Sequence, residues 1–214
     1  MNHLVITGGG GDLAKAIISA FTSSEWEIAA PSHSELDVTD RSAINRFFES
    51  RPVDLLICAA GMTMDGSLHT TKESTWDNVL AVNFQGAADC ATSAINRMID
   101  RRTGHIVFIS SYSAIHPPAG QVAYATAKAS LLGLTDSLAC RYGAHGIRVN
   151  SILPGFLETR MTRVVSEKRQ AEVLAQHHLG RYNTLAAVAD FIRFLHESLP
   201  HTSGQTFQLD SRVP

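Results

Sequence analysis

The stretch that decides the fold is His3-Leu4-Val5-Ile6-Thr7-Gly8-Gly9-Gly10-Gly11-Asp12-Leu13-Ala14. Its first five residues form a short apolar run rich in β-branched side chains, which is typical of a buried strand. Four glycines follow, and the apolar spacing after them predicts a helix over residues 12–23, with Asp12 at the position of an N-cap. Strand, glycine turn and helix together form the opening of a nucleotide-binding βαβ unit.

The rest of the chain continues this alternation of strands and helices. Further strands are predicted at residues 27–30, 36–38, 53–58, 105–110, 148–153 and 206–209. Helices are predicted at residues 40–50, 71–101 with a bend near Gly86, 123–142 and 184–198, whereas residues 157–178 are irregular or helical. Strands that are apolar on both faces indicate a parallel sheet covered by helices on both sides. We therefore predict an α/β protein with a doubly wound parallel sheet, a Rossmann fold, formed as one domain by residues 1–214.

Several glycine-rich or polar segments fall where the predicted strands end. These segments are residues 8–11, 58–61, 110–111 and 154–155. In a doubly wound sheet the ligand lies beyond the carboxyl ends of the strands. The convergence of these segments predicts a binding site at that edge of the sheet.

Composition and charge narrow the class of protein. Of the 214 residues, 44% are hydrophobic and 18% are charged, which indicates a globular protein. A net charge of -2 gives no reason to expect binding to nucleic acid or to an anionic membrane. The apolar runs are strand-sized, so no membrane span is predicted. Because a strand follows Met1 almost at once, we expect no signal peptide and a cytoplasmic location.

The cysteines and histidines do not form a recognisable metal pattern. Cys58, Cys90 and Cys140 are widely spaced without a CxxC pair, so we expect small buried apolar side chains rather than a disulfide framework or a zinc site. The ten histidines include no HExxH, and the neighbours His177 and His178 would point to different helix faces. No metal site is predicted.

One set of residues suggests catalysis. Tyr124 and Lys128 are four residues apart, about one helical turn, so the phenol and the ammonium would project from the same face. A cation beside a phenol favours the phenolate and lowers its pKa, which would make the tyrosine a proton donor and acceptor. Ser111, thirteen positions before Tyr124, could hold a substrate oxygen against that phenol. This chemistry suits hydride transfer to or from a carbon that bears oxygen.

These features resemble the short-chain dehydrogenase/reductase family in its single-domain form. The family's Thr-Gly-x-x-x-Gly-x-Gly turn is similar to residues 7–14, although Asp12 and Ala14 replace its second and third glycines. An aspartate beside a phosphate is repulsive unless its carboxylate caps the helix or turns away. The other matching segments, which span nearly the whole chain, are Asp37-Val38, Cys58-Ala59-Ala60-Gly61, Asn83, the set Ser111, Tyr124 and Lys128, Pro154-Gly155, Thr159, and residues 179–181 and 203–205.

The resemblance implies an oxidoreductase that transfers a hydride between NADP(H) or NAD(H) and a small carbonyl compound or secondary alcohol. Tyr124 would be the general acid and base, and Lys128 would lower its pKa and hold the nicotinamide ribose. Ser111 would donate a hydrogen bond to the carbonyl, and Asn83 would anchor a water that relays protons to Lys128. The residues expected to bind the dinucleotide are Gly8, Gly10, Gly11, Asp12, Leu13, Ser32, His33, Asp37, Val38, Ala59, Ala60, Gly61, Tyr124, Lys128, Pro154, Gly155 and Thr159.

The choice of dinucleotide depends on the end of the second strand, which reads Pro31-Ser32-His33-Ser34. An acidic residue there would bind the ribose 2′-OH and repel a 2′-phosphate, but no carboxylate occurs before Glu35. Hydroxyls and an imidazole could accept a phosphate. We therefore expect NADP(H) in preference to NAD(H), with solvated loop residues as the alternative reading of Ser32 and His33.

Substrate, partners and competing functions follow from the same resemblance. The substrate is expected to contact loops at roughly residues 112–122 and 156–180. Members of the family pair through long helices, here residues 86–101 and 123–142, which implies a homodimer or homotetramer. Two alternatives remain. One is a dinucleotide-sensing regulator with a vestigial site, and the other is a sugar-nucleotide epimerase or dehydratase, which would need a larger C-terminal domain.

Overall fold

The computed structural model describes residues 1–212. In chain order the strands are β1 (Asn2–Thr7), β2 (Trp26–Ala29), β3 (Leu55–Cys58), β4 (Gly104–Ile109), β5 (Ile147–Leu153) and β6 (Thr206–Gln208). The α-helices are α1 (Asp12–Phe21), α2 (Arg41–Phe48), α3 (Glu73–Leu80), α4 (Gly86–Met98), α5 (Val122–Tyr142), α6 (Glu167–Ala175) and α7 (Leu185–Glu197). A π-helical turn, Ala81–Gln85, joins α3 to α4.

The strands form one parallel six-stranded sheet in the order β2-β1-β3-β4-β5-β6. The chain winds in one direction from β1 to β2 and in the other from β3 onward, so the order reverses between β1 and β3. That reversal is the topological switch point at which doubly wound sheets bind ligands. The predicted doubly wound Rossmann fold is confirmed.

Each face of the sheet is covered by its own layer of helices, because successive strand residues point to opposite sides. Along β1, Leu4 and Ile6 pack into a cluster with Ile17 of α1 and Ile192 of α7. Val5 points the other way, into a cluster built with α2, α4 and α5. These four side chains of the first cluster are fully buried. The two layers hold the strand ends rigid, which is what a site at those ends requires.

The strand predicted at residues 36–38 is wrong. Leu36 and Val38 are buried, but they pack into the helix-covered cluster rather than hydrogen-bonding to the sheet. An added Cβ on Gly86 would lie 2.6 Å from the carbonyl oxygen of Val38, so this segment is pressed against the start of α4. The apolar pattern correctly indicates burial, but Leu36 and Val38 pack against helices on one face of the sheet and do not extend the sheet beyond its edge strand β2.

The helical region predicted over residues 71–101, with a bend near Gly86, is helical from residue 73 to residue 98, and the π-helical turn lies immediately before Gly86. One smaller expectation needs correction. Cys58 and Cys90 are buried as predicted, whereas Cys140 is exposed on α5. Within residues 1–212, no helix is long and apolar enough to cross a membrane.

Candidate active site

The glycine turn between β1 and α1 is shaped by close backbone packing. Gly8 has a φ of +71°, a conformation that favours glycine. A Cβ on Gly9 would lie 2.0 Å from the carbonyl oxygen of Ala30, and the Gly9 N–H donates to the carbonyl of Pro31 at 2.9 Å. The turn therefore packs against the segment that follows β2, and this contact leaves no room for a side chain at Gly9.

Asp12 does not cap α1, contrary to the sequence prediction. The N-cap is Gly11, and within the described residues no side chain accepts from the first turn of the helix. The Asp12 carboxylate instead accepts from the backbone N–H of Arg160 at 2.7 Å and from its Nε at 3.0 Å. The backbone hydrogen bond from Arg160 is the main reason that the pKa of Asp12 lies below its usual value. The carboxylate is thus bonded to the segment after β5, and Asp12 still lines the cleft beside the glycine turn.

A cleft of about 1130 Å³ opens at the carboxyl ends of the strands. Most of the predicted site residues line it, drawn from five separate parts of the chain. They are Gly8, Gly11, Asp12, Leu13, Ala59, Gly61, Ser111, Tyr124, Lys128, Pro154, Gly155 and Thr159. The remaining predicted residues lie outside this lining, namely Gly10, Ser32, His33, Asp37, Val38, Ala60 and Asn83.

Ser111 and Tyr124 meet on one wall of the cleft. Ser111 follows β4 and begins a short 3-10 turn, where its hydroxyl oxygen accepts from the N–H of Ser113 at 3.1 Å. Tyr124 lies in the first turn of α5, where the Ser111 hydroxyl is near enough to act on the pKa of its phenol. Both side chains line the cleft.

The protonation of Tyr124 differs from the prediction. Burial raises the pKa of Tyr124 above its ordinary value, the hydrogen bond with Ser111 acts in the opposite direction, and the charge of Asp65 raises it further. Lys128 Nζ lies 5.7 Å from the centre of the tyrosine ring. At that distance the ammonium does not overcome the cost of burying a phenolate, so the expected lowering of the pKa is not found.

Lys128 is held by the backbone of the strand end next to it. Its side chain is buried, with only 4% of the residue exposed, and Nζ donates to the carbonyl of Ile109 at 2.9 Å. The Ser110 hydroxyl donates to the carbonyl of Lys128 at 2.8 Å, which ties the helix to the end of β4. Burial lowers the pKa of Lys128 to about 8. The amine therefore exchanges its proton near physiological pH.

Asn83 lies in the π-helical turn and is buried. Its Nδ2 donates to the carbonyls of Met62 and Val79 at 2.8 and 2.9 Å, and its Oδ1 accepts from the Met62 N–H at 3.3 Å. A Cβ on Gly61 would lie 2.9 Å from that Oδ1. In this structure Asn83 fixes the loop after β3, beside the cleft but not in its lining.

Three residues that build the site are absent from the site residues predicted from the sequence. Thr7 accepts with its Oγ1 from the N–H groups of Ala59 and Ala60, both at 3.2 Å, and so joins β1 to β3 at the switch point. Its place directly before the glycine turn was the available signal. Asp65 accepts from Gln121 Nε2 at 2.9 Å on the substrate side of the cleft. Neither Asp65 nor Arg160 carries a local pattern that marks it, because each acts through a distant partner.

The residues predicted near the adenine ribose form a separate turn. The Glu35 carboxylate accepts from the backbone N–H and the hydroxyl of Ser32, at 2.8 and 2.7 Å. Asp37 accepts from the N–H and hydroxyl of Thr39 at 2.9 and 2.8 Å. The His33 side chain is 85% exposed and lies 4.0 Å from Asp37. These side chains are therefore engaged within their own turn.

The glycine turn fits the diphosphate of a dinucleotide. A Cβ on Gly11 would lie 3.2 Å from the Gly8 carbonyl oxygen, which is a tight contact. Because glycines occupy these positions, no side chain keeps a ligand from approaching the backbone of the turn. The first turn of α1 presents backbone N–H groups without a side-chain cap, at the positive end of the helix dipole. Gly8, Gly11 and Leu13 line the cleft at this point.

Comparison with known proteins agrees with this geometry. A family model described as enoyl-(acyl carrier protein) reductase matches residues 4–211. The 3-oxoacyl-[acyl-carrier-protein] reductase of Thermotoga maritima is 36% identical over 181 residues, which cover 82% of this chain and 74% of the relative. A (3R)-3-hydroxyacyl-CoA dehydrogenase from Canis lupus familiaris is 36% identical over 168 residues, covering 75% and 65% of the two chains.

Solved structures share the fold across the whole chain. A protein from Beutenbergia cavernae, solved with NADP at low occupancy, superposes with a TM-score of 0.93 at 24% identity, covering 98% of this chain and 95% of that one. The structure of gox2181 gives 0.91 at 22% identity, with coverage of 97% and 94%. The chain therefore belongs to the short-chain dehydrogenase/reductase family of NAD(P)-dependent oxidoreductases, as its motifs predicted.

Proposed function

We propose that the protein transfers a hydride between NADP(H) or NAD(H) and a small carbonyl compound or secondary alcohol, with Tyr124 as the general acid and base. The observation that carries this proposal is the convergence of Ser111, Tyr124 and Lys128 on one wall of the cleft at the switch-point edge of the sheet. All three side chains line that cleft, and Lys128 is buried one helical turn from Tyr124.

In reduction, the phenol of Tyr124 carries its proton at neutral pH and donates it to the developing alkoxide, although burial raises its pKa and so makes the phenolate harder to form. Ser111 donates a hydrogen bond to the same oxygen and stabilises its charge. The bound dinucleotide supplies the hydride chemistry. Lys128 provides a positive charge beside the phenol and a donor for the nicotinamide ribose. The Asn83 side chain is bonded to Met62 and Val79 outside the lining, so its contacts do not support the water-anchoring role that the resemblance implies.

The walls of the cleft suggest an acyl substrate. Its outer part is lined by apolar side chains from the two loops predicted to contact substrate, namely Ile115, Phe156, Leu157, Met161, Val164 and Val165. Apolar lining favours an alkyl chain attached to the reacting carbonyl. The relatives named above are a 3-oxoacyl reductase and a 3-hydroxyacyl dehydrogenase. A 3-oxoacyl thioester is therefore the first substrate to test.

We propose NADP(H) in preference to NAD(H). The exposed His33 and the hydroxyls of Ser32 and Ser34 are suited to a 2′-phosphate, and no acidic residue occurs among residues 31–34. The bond from Ser32 to the Glu35 carboxylate acts in the other direction, because that carboxylate repels a phosphate at the same hydroxyl. The ratio of the Kd values for NADPH and NADH decides between these effects, and tighter binding of NADH would contradict the proposal.

The decisive experiment is an activity panel of ketones, secondary alcohols and 3-oxoacyl thioesters with NADPH, NADH and their oxidised forms. The absorbance of the reduced nicotinamide is followed for wild type and for Tyr124→Phe. We expect turnover of at least one substrate that the variant lacks. Dinucleotide binding without any turnover would favour the dinucleotide-sensing regulator. Epimerisation of a sugar nucleotide without net redox change would favour the sugar-nucleotide epimerase or dehydratase.

We also propose that the chain forms a homodimer or homotetramer through α4 and α5. Both helices carry many Ala, Ser and Thr residues, which permit close helix packing. Sedimentation of the purified protein tests this assignment, and a monomer at all concentrations would contradict it. The cytoplasmic location stays a prediction from the sequence.

A further inference from the structure

Arg160 connects the two walls of the cleft. It follows β5, 148 residues after Asp12, and its backbone N–H and its Nε both donate to the Asp12 carboxylate. Its Nη2 also donates to the carbonyl of Gly10, within the glycine turn. The side chains are 23% exposed for Asp12 and 58% exposed for Arg160, so the guanidinium lies at an open edge. The pair is therefore accessible to a ligand that enters the cleft.

The Asp12–Arg160 pair lies at the start of α1, where a bound anion would be expected. Asp12 is the first residue of α1, where uncapped N–H groups and the helix dipole favour an anion. The carboxylate satisfies that preference only in part, because its hydrogen bonds go to Arg160 rather than to the helix. A diphosphate at the glycine turn would meet a negative charge on Asp12 and a positive charge on Arg160 at the same time. The affinity of the protein for a diphosphate thus depends on whether the Arg160 guanidinium binds Asp12 or the ligand.

We propose that Arg160 binds the diphosphate of the dinucleotide and exchanges the Asp12 carboxylate for that second anion. The inference rests on the proposed function, since it requires a dinucleotide in the cleft. The exchange is possible because the guanidinium is exposed and presents a planar set of donors that suits phosphate oxygens. The bond from the Arg160 backbone N–H to Asp12 does not depend on the side chain, so it continues to fix the position of the carboxylate.

Other cations on this wall are less suitable. Arg169 is paired with Glu172 at 2.9 Å, one helical turn away on α6. Lys15 is exposed on α1 and acts on Asp12 through charge without a hydrogen bond. Arg160 alone of these three already donates into the glycine turn, through Gly10. It therefore needs only a side-chain rotation to reach a ligand there.

The test uses the full chain in four forms: wild type, Asp12→Asn, Arg160→Gln and the double variant. The Kd values of NADPH and NADH are measured by the fluorescence of the bound reduced nicotinamide. Arg163→Gln serves as a matched control, because Arg163 is an exposed cation of the same segment. Melting temperatures without ligand confirm that each variant is folded. Both dinucleotides are used because they share the diphosphate and differ only at the 2′ position.

We expect Arg160→Gln to weaken NADPH and NADH binding by the same factor, about tenfold, the size of one charge-assisted hydrogen bond. Asp12→Asn should tighten binding, and Arg160→Gln should cause a similar loss in the Asp12→Asn background. Arg163→Gln should change neither Kd.

Three results would overturn the inference while leaving the proposed function in place. These are an unchanged Kd in Arg160→Gln, a loss that disappears in the Asp12→Asn background, and a loss that differs between NADPH and NADH. The second would show that Arg160 only holds its segment in place, and the third would assign it to the 2′-phosphate. Failure of all the proteins to bind either dinucleotide would instead overturn the proposed function together with this inference.

Discussion

The pH dependence of carbonyl reduction should follow Lys128 rather than Tyr124. Burial lowers the pKa of Lys128 to about 8, whereas burial raises the pKa of Tyr124 above its ordinary value. For a single titrating group with that pKa, the protonated fraction falls from about nine-tenths at pH 7 to about one-tenth at pH 9. If the ammonium is needed, the rate constant should fall about tenfold over this range while the phenol keeps its proton.

The appropriate measurement is kcat/KM for NADPH between pH 6.5 and 10 at constant ionic strength, with a ketone that the activity panel identifies. This ratio reports the ionisation of groups in the free enzyme. We expect a plateau at low pH and a break at about pH 8, above which kcat/KM falls about tenfold for each further unit. The direction follows from the requirement for a charged lysine, which is lost as the pH rises.

The variant Lys128→Arg provides a matched control. A guanidinium stays charged throughout this range, so the break at about pH 8 should disappear even though the plateau is lower. A profile for the wild type that stays flat beyond pH 9.5 would refute the assignment of the break to Lys128. A break that persists unchanged in the arginine variant would refute it equally.

Three further predictions concern the catalytic acid, the glycine turn and a buried histidine. Tyr124→Phe should lower kcat by about 10²- to 10⁴-fold without changing the melting temperature, because the phenol supplies the proton in the transition state. Gly9→Ala should lower the free energy of unfolding by about 1–3 kcal/mol, measured with urea, since its Cβ would lie 2.0 Å from the Ala30 carbonyl oxygen. Burial, followed by the charge of Arg148, lowers the pKa of His196 to about 4. As the pH falls, the histidine is protonated in the unfolded chain before it is protonated in the folded protein. The free energy of unfolding should therefore keep its full value above about pH 6.5 and fall by about 2–3 kcal/mol towards pH 4.

Each of these predictions has its own contrary outcome. Near-normal turnover in Tyr124→Phe would remove the tyrosine from the mechanism. An unchanged urea midpoint in Gly9→Ala would show that the turn relaxes without cost. For the histidine, His196→Leu is the control, and it should reduce the dependence of stability on pH between 4 and 6.5, leaving the part contributed by buried His105, whose pKa is also lowered by burial. A slope that is the same in this variant would assign the acid sensitivity to other groups.

Much of the fold could be predicted because it depends on short-range patterns. The apolar run of β1, the glycines after it and the helical spacing of α1 all occur within about twenty residues of one another, and each is found in the structure near its predicted bounds. The pairing of Tyr124 with Lys128 is equally local, since four residues on a helix bring two side chains to one face. Local periodicity determines these features without any tertiary contact.

Other features depend on which segments meet in space, and these were decided only by the tertiary structure. Residues 36–38 have a strand-like sequence, but their side chains pack against the helices on one face of the sheet and do not extend it. Arg160 binds the Asp12 carboxylate across 148 residues of sequence. The pKa values of Tyr124 and Lys128 follow from burial, which a pair of residues on an isolated helix would not have. The sequence alone therefore determined the order of the elements and the choice of candidate reacting groups. Their partners and their protonation were decided by long-range packing, which excludes water from the site.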